Sequence, residues 1–265
     1  MTNNWPIDEP GSLEDLCIKQ CVSNIHTIAE KSDSNPDLYT LKPNVFLLVP
    51  SVCDKLFQTF QEYQLNNNEK SWDFIGIFDD TEKTRLCKVN LFKAPHESQT
   101  ERKREDSAKL LQICLNHPLK QLDFVDCNFS CDIFNLINSS KAQNSLLSLS
   151  IEGKNCVDRA LETHFIDLNL QIGDHIPDIK LDCPQLQRLV LRDVRDHDVS
   201  LLPGCDIIHL FSQLTHLDLS RCSLSSSMIS SLPSCQMLVW LNLNGVQFQS
   251  HEDFITSLCR ITKLR

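Results

Sequence analysis

The sequence predicts an α/β chain in which a short helical module precedes a solenoid of leucine-rich repeats. Three observations predict it. A capped amphipathic helix opens near residue 12, a second begins at Pro50, and from about residue 86 one leucine pattern recurs to the last residue.

The first helix is signalled by Pro10-Gly11, which breaks the chain, and by Ser12, a good N-cap with Asp15 three residues on. Leu13, Leu16, Cys17, Cys21, Ile25 and Ile28 then recur at helical spacing, so one apolar stripe is expected to about Ala29. Residues 31–37, KSDSNPD, are a loop by composition. Proline is favoured in the first turn of a helix. A second helix is therefore expected from Pro50 to about Tyr63, with Val52, Cys53, Leu56, Phe57 and Phe60 on its apolar face.

The repeats follow the template LxxLxLxxN/CxL. Leu119, Leu122, Phe124, Cys127 and Phe129 fit it, as do Leu146, Leu149, Ile151 and Cys156, with Lys154 in the polar slot. Leu186, Leu189, Leu191 and Val194 fill the first four places. Residues 214–224 read LTHLDLSRCSL and residues 238–248 read LVWLNLNGVQF, complete copies that begin 24 residues apart. Weaker copies start at Leu86 and Phe165, and Ile261 begins another just before the chain ends. An array needs a terminal cap, so a chain ending inside a repeat is expected to be a fragment, a short isoform or an incomplete gene model.

Each repeat has a physical logic. In LxL both leucines lie on one face of a short strand and the residue between them lies on the other. That places Asp123, Ser150, Val190, Asp218 and Asn242 in one row on the concave side, the default partner surface of such an array. The Asn-or-Cys slot turns the chain and satisfies backbone groups inside the stack. Cys127 and Cys222 occupy it. The thirteen cysteines include no CxxC pair, and most are expected to be small buried apolar residues.

Composition excludes several function classes. The net charge of −10 argues against a nucleic-acid or anionic-membrane partner. Six glycines and the lack of any GxGxxG or GxxxxGK[ST] pattern leave no phosphate loop, and no cofactor or metal is implied. The N-terminus has no secretory signature, and no apolar run approaches the roughly 18 residues of a membrane span. The expected setting is the cytoplasm or nucleus, not the secretory pathway. Asp196-His197-Asp198 lacks a nucleophile motif or ligand spacing, and the ERKRED run at 101–106 reads as a solvated face. No catalytic residue is predicted.

The segment SLEDLCIKQC has the pattern of a BC-box, with Ser12, Leu13, Cys17 and Cys21 at its defining places. Leu13, Cys17 and Cys21 are four apart and share a helix side. Three stretches, SLEDLCIKQCVSNI, LKPNVFLLVPSVCDKLF and FIGIFDDTEKTRLCKVNL, come in one order ahead of the repeats. Together they resemble the N-terminus of the Zer-one/Zyg-eleven family of cullin-2 substrate receptors, more closely the Zer-one branch. The resemblance is closest over about the first 90 residues and architectural beyond them.

It implies a substrate-recognition subunit of an elongin BC–cullin-2 ubiquitin ligase, itself no enzyme, with elongin C, elongin B and cullin-2 as partners. Residues 1–75 would be the docking module and 76–265 the repeats. The second family box, which contributes to choosing cullin-2, falls on Leu48, Val49, Pro50, Val52 and Leu56. Its proline comes one residue late when aligned on Cys53-Asp54-Lys55-Leu56. The family continues into an armadillo-like region that reads N-terminal glycine degrons, and no stretch of that length is present in this sequence. Two other readings remain open from residues alone. One is a leucine-rich-repeat interaction scaffold without a ligase role. The other is an F-box receptor, since VPSVCDKLF resembles an F-box opening, one residue short.

Overall fold

The computed structural model describes residues 12–33, 38–45, 47–66, 73–92, 109–127, 133–153, 181–193, 213–224, 229–230, 232–248 and 251–264. Two compact units emerge, Met1–Val89 and Asn90–Arg265, against an expected boundary at residue 75.

In the first unit α1 (Leu13–Ser23) packs on α2 (Pro50–Asn66), and a six-residue 3-10 segment, Asp73–Phe78, follows. Phe57 of α2 meets Phe78 edge-on at 5.3 Å between ring centroids. Phe60 stacks on Phe74 at 5.3 Å, and Phe74 on Tyr39 at 4.6 Å. Cys53, Leu56, Ile75 and Ile77 are buried around these rings. The FIGIF run thus supplies one wall of the helical core, which is why the first unit reaches beyond residue 75. The apolar face expected for α2 is the buried one, except that Val52 is half-buried. Strands β1 (Ala29–Lys31) and β2 (Tyr39–Leu41) pair antiparallel, so Lys31, expected in the 31–37 loop, ends a strand.

The repeat strands are β3 (Lys88–Phe92), β4 (Gln121–Val125), β5 (Ser148–Glu152), β6 (Arg188–Arg192), β7 (His216–Asp218) and β9 (Trp240–Asn242), adjacent in that order in one sheet. Pairing from β4 onward is parallel. The first leucines of each LxL stand in one register: Leu122, Leu149, Leu189, Leu217 and Leu241. The leucines that open the copies, Leu119, Leu146, Leu186, Leu214 and Leu238, are fully buried. The five copies that these leucines open are therefore structural repeats. Two-residue strands β8 (Ser223–Leu224) and β10 (Gln247–Phe248) pair beyond the turns of the last two copies.

A left-handed residue follows β4, β5, β6, β7 and β9 at the same place in the copy: Asp126 at φ 50°, Gly153 at 115°, Asp193 at 56°, Arg221 at 59° and Gly245 at 70°. Glycine, and more rarely aspartate, tolerates this region. The amides of Asp126, Gly153, Asp193 and Arg221 donate to the carbonyls of Glu152, Arg192, Ser220 and Asn244, each in the next copy. The ladder thus continues one step past β4, β5, β6 and β7 and turns these copies alike. The copy at Phe165, with Phe129, Lys154, Cys156 and Val194, lies outside the described residues.

Candidate functional site

The site is built on α1. Ser12 Oγ accepts from the Asp15 amide at 3.2 Å, and Asp15 Oδ2 accepts from the Ser12 amide at 3.0 Å, a complete capping box. Glu14 and Asp15 stand in the first turn, where the helix dipole favours acids. Lys55 of α2 donates to both, at 2.8 Å to Glu14 Oε2 and 3.3 Å to Asp15 Oδ1. The Ser12 hydroxyl, then Lys55, hold the Asp15 carboxyl below the usual carboxylate range, and Glu14 foremost raises Lys55. These exposed contacts contribute little to stability. Their effect is to fix the start of α1 against α2.

Bracing on one side leaves the other free. At 3.6 residues per turn, Val22 lies about half a turn around from Leu13. Ile18 and Val22 are buried, whereas Leu13 is 78% exposed, Leu16 is 52% exposed and Cys17 is exposed. Cys21 is half-buried beside them. The expected single apolar stripe is therefore corrected: α1 has two apolar sides. Its core side is Ile18 and Val22, followed by Ile25 in a short 3-10 turn, while Ile28 is half-buried. Leu13 and Cys17, expected as BC-box positions, are on the outer side with Leu16.

The second box divides. Val49 is 56% exposed, Pro50 is exposed, and Leu48 and Val52 are half-buried; Leu47, just ahead of the box, is 66% exposed. Leu56 is 3% exposed and belongs to the core, so it cannot meet a partner directly. Cys53 is buried and accepts at Sγ from the Arg85 amide at 3.4 Å, and burial pushes its thiol up. A hydrophobic pattern on an amphipathic helix does not by itself separate partner-facing from core-facing positions.

The predicted row on the sheet is also largely closed. Ser150, Val190 and Asp218 are buried, and only Asp123 and Asn242 are half-buried. Arg192 closes over Asp218, donating to its Oδ2 at 2.7 Å and to Glu152 Oε1 at 2.9 Å. Asn242 donates to the same Asp218 oxygen at 3.2 Å, and the Ser220 amide to the other at 2.9 Å. Burial pushes Asp218 up, but the bonds from Arg192, Ser220 and Asn242 outweigh it and hold the carboxyl below its ordinary range. The exposed residues of this face are instead Arg188, His216 and Trp240, two positions earlier in their strands. Period-2 alternation could have found them, since they share the face of the predicted row.

Cys127 and Cys222, in the slot read as structural, are buried, and each thiol donates to a carbonyl of the preceding strand. Among the described residues no group of His, Cys, Asp and Glu could hold a metal ion, and no helix is long and apolar enough to cross a membrane. Asp196-His197-Asp198 and the 101–106 run lie outside the described residues.

The chain is 25% identical over 248 residues to Protein zer-1 homolog of Drosophila melanogaster, a match covering 92% of this chain and 27% of that protein. The chain is thus similar to a Zer-one protein along nearly its whole length, repeats included, while spanning about a quarter of its relative. No family model matches. Among solved structures it is similar to InlP of Listeria monocytogenes, at a TM-score of 0.36 and 14% identity, over 83% of this chain and 59% of that one.

Proposed function

We propose that this chain is a substrate-receptor subunit of an elongin BC–cullin-2 ubiquitin ligase, in which α1 docks to elongin C and a leucine-rich-repeat solenoid follows. The carrying observation is Leu13, an apolar side chain 78% exposed at the start of a capped and braced helix whose opposite side is already packed. A large side chain held out rigidly can anchor a helix in a partner's groove with little ordering cost. Leu16 and Cys17 extend that anchor, and Cys17 is small enough for close approach. The likeness to a Zer-one protein supports elongin C as that partner. On this reading Val49 and Pro50 are the exposed part of the cullin-2 box, Leu48 and Val52 are half-buried within it, and Leu56 only supports it. The subunit is non-catalytic and acts in the cytoplasm or nucleus.

Co-capture tests the reading. Elongin B/C should be retained by the tagged chain, the F-box adaptor should not, and Leu13→Ala should lose most of the elongin. Retention of the F-box adaptor in place of elongin B/C would replace this proposal with an F-box receptor, and retention of neither would leave a repeat scaffold.

A further inference from the structure

The polar face of the repeat sheet holds two rows of opposite character. In one, Arg192 is consumed by Glu152, Asp218 and Ser220, and both Asp218 oxygens are filled. In the other, Arg188, His216 and Trp240 stand in register on β6, β7 and β9, and all three are exposed. The His216 and Trp240 rings lie 6.2 Å apart at 33°. Trp240 is 41% exposed. Among the described residues Arg188 makes no ion pair within contact distance, although Asp123 on β4 feels its charge.

We propose that Arg188, His216 and Trp240 form a docking surface for an extended acidic segment of a protein partner, with a carboxylate set on Arg188 and an apolar side chain laid on the Trp240 indole. Charge complementarity argues for an acidic occupant. The acids of this face are half-buried or neutralised from within, while the guanidinium of Arg188 is presented. Tryptophan and arginine are the residue types that carry most energy at protein interfaces. Strands lie about 4.8 Å apart, so Arg188 and Trp240 are separated by roughly 10 Å, which an extended chain crosses in about three residues. A nucleic acid fits less well, because it places a charge on every step and this row offers one permanent cation. The surface lies in the repeat unit and does not depend on the docking role of α1.

The test titrates the full chain with a labelled peptide of about ten residues, carrying two aspartates and a phenylalanine about three positions further on. Saturable binding is expected. Trp240→Ala should weaken it about thirtyfold or more, in the range of interface hot spots. Arg188→Gln, or asparagines in place of the aspartates, should weaken it several-fold, Trp240→Phe should keep most of it, and Leu13→Ala should leave it unchanged. All substituted side chains are exposed, and circular dichroism checks that each variant is folded. No saturable binding, or equal binding by Trp240→Ala or by the asparagine peptide, overturns the proposal. So does tighter binding of an oligouridine that the same variants abolish, which would make the surface a nucleic-acid site.

Discussion

The thiol of Cys222 donates to the carbonyl oxygen of Leu191 at 3.1 Å, and Cys127 makes the equivalent bond to Leu91 at 3.0 Å. Both cysteines follow their strand at the same place in the repeat, and both reach back to the strand before it. A buried carbonyl that loses its donor costs roughly 1–3 kcal/mol. Cys222→Ala should therefore lower stability by about that amount, read as a shift in the urea midpoint. Cys222→Asn, which restores a donor, should recover part of it. Equal losses in both variants would show that volume, not the hydrogen bond, decides the slot.

The left-handed turns make a second prediction. At Gly153, with φ at 115°, an added Cβ would strike the Asp126 side chain and crowd its backbone. At Gly245, with φ at 70°, the nearest neighbour is Arg221 Cγ at an ordinary 3.4 Å. Gly153→Ala should cost about 1–3 kcal/mol, the usual scale of backbone strain. Gly245→Ala should cost less, and thermal melts of the two variants compare them directly.

Acid should loosen the start of α1. The folded pKa of Asp15 is depressed, so its contribution is fully present above the unfolded carboxylate range and is lost as pH falls through the folded value. Melts of the wild type between about pH 5 and pH 2 should lose helix stability that Asp15→Asn has already lost at neutral pH. Ser12→Ala should remove roughly 0.5–2 kcal/mol through the cap itself. An identical acid limb in wild type and Asp15→Asn would contradict the assignment.

Thiol labelling separates the cysteines. Cys17 and Cys259 are exposed and should react with iodoacetamide in the native state. Cys183 and Cys235 are buried, with thiols pushed up to about 12, and Cys114 is fully buried and higher still. These three should label only on denaturation, since the thiolate is the nucleophile. Peptide mass spectrometry reads each site.

Much of this was legible in the sequence because it is periodic. The LxL copies gave the register, since a two-residue alternation admits one buried face. Ser12 and Asp15 gave the cap because its spacing is local. The sides of α1 were not legible. Ile18 and Val22 are as hydrophobic as Leu13 and Leu16, and only the partner helix, through Lys55 and the aromatic core, decides which pair turns inward. Leu56 turns into the core for the same reason. The closing of Asp218 involves Arg192 reaching across strands to Asp218 and Glu152, residues 26 and 40 positions away. The left-handed residue that ends each strand left a weak signal, because Asp, Gly and Arg all fill it.

The most direct measurement is the affinity of the purified chain for elongin B/C, compared with that of Leu13→Ala. Full burial of a leucine contributes roughly 1.5–3 kcal/mol. Each 1.4 kcal/mol is about tenfold in affinity. The account predicts saturable binding that Leu13→Ala weakens at least tenfold, with Cys17 protected from iodoacetamide in the complex. No binding by the wild type, or equal binding by Leu13→Ala with Cys17 still reactive, would contradict it.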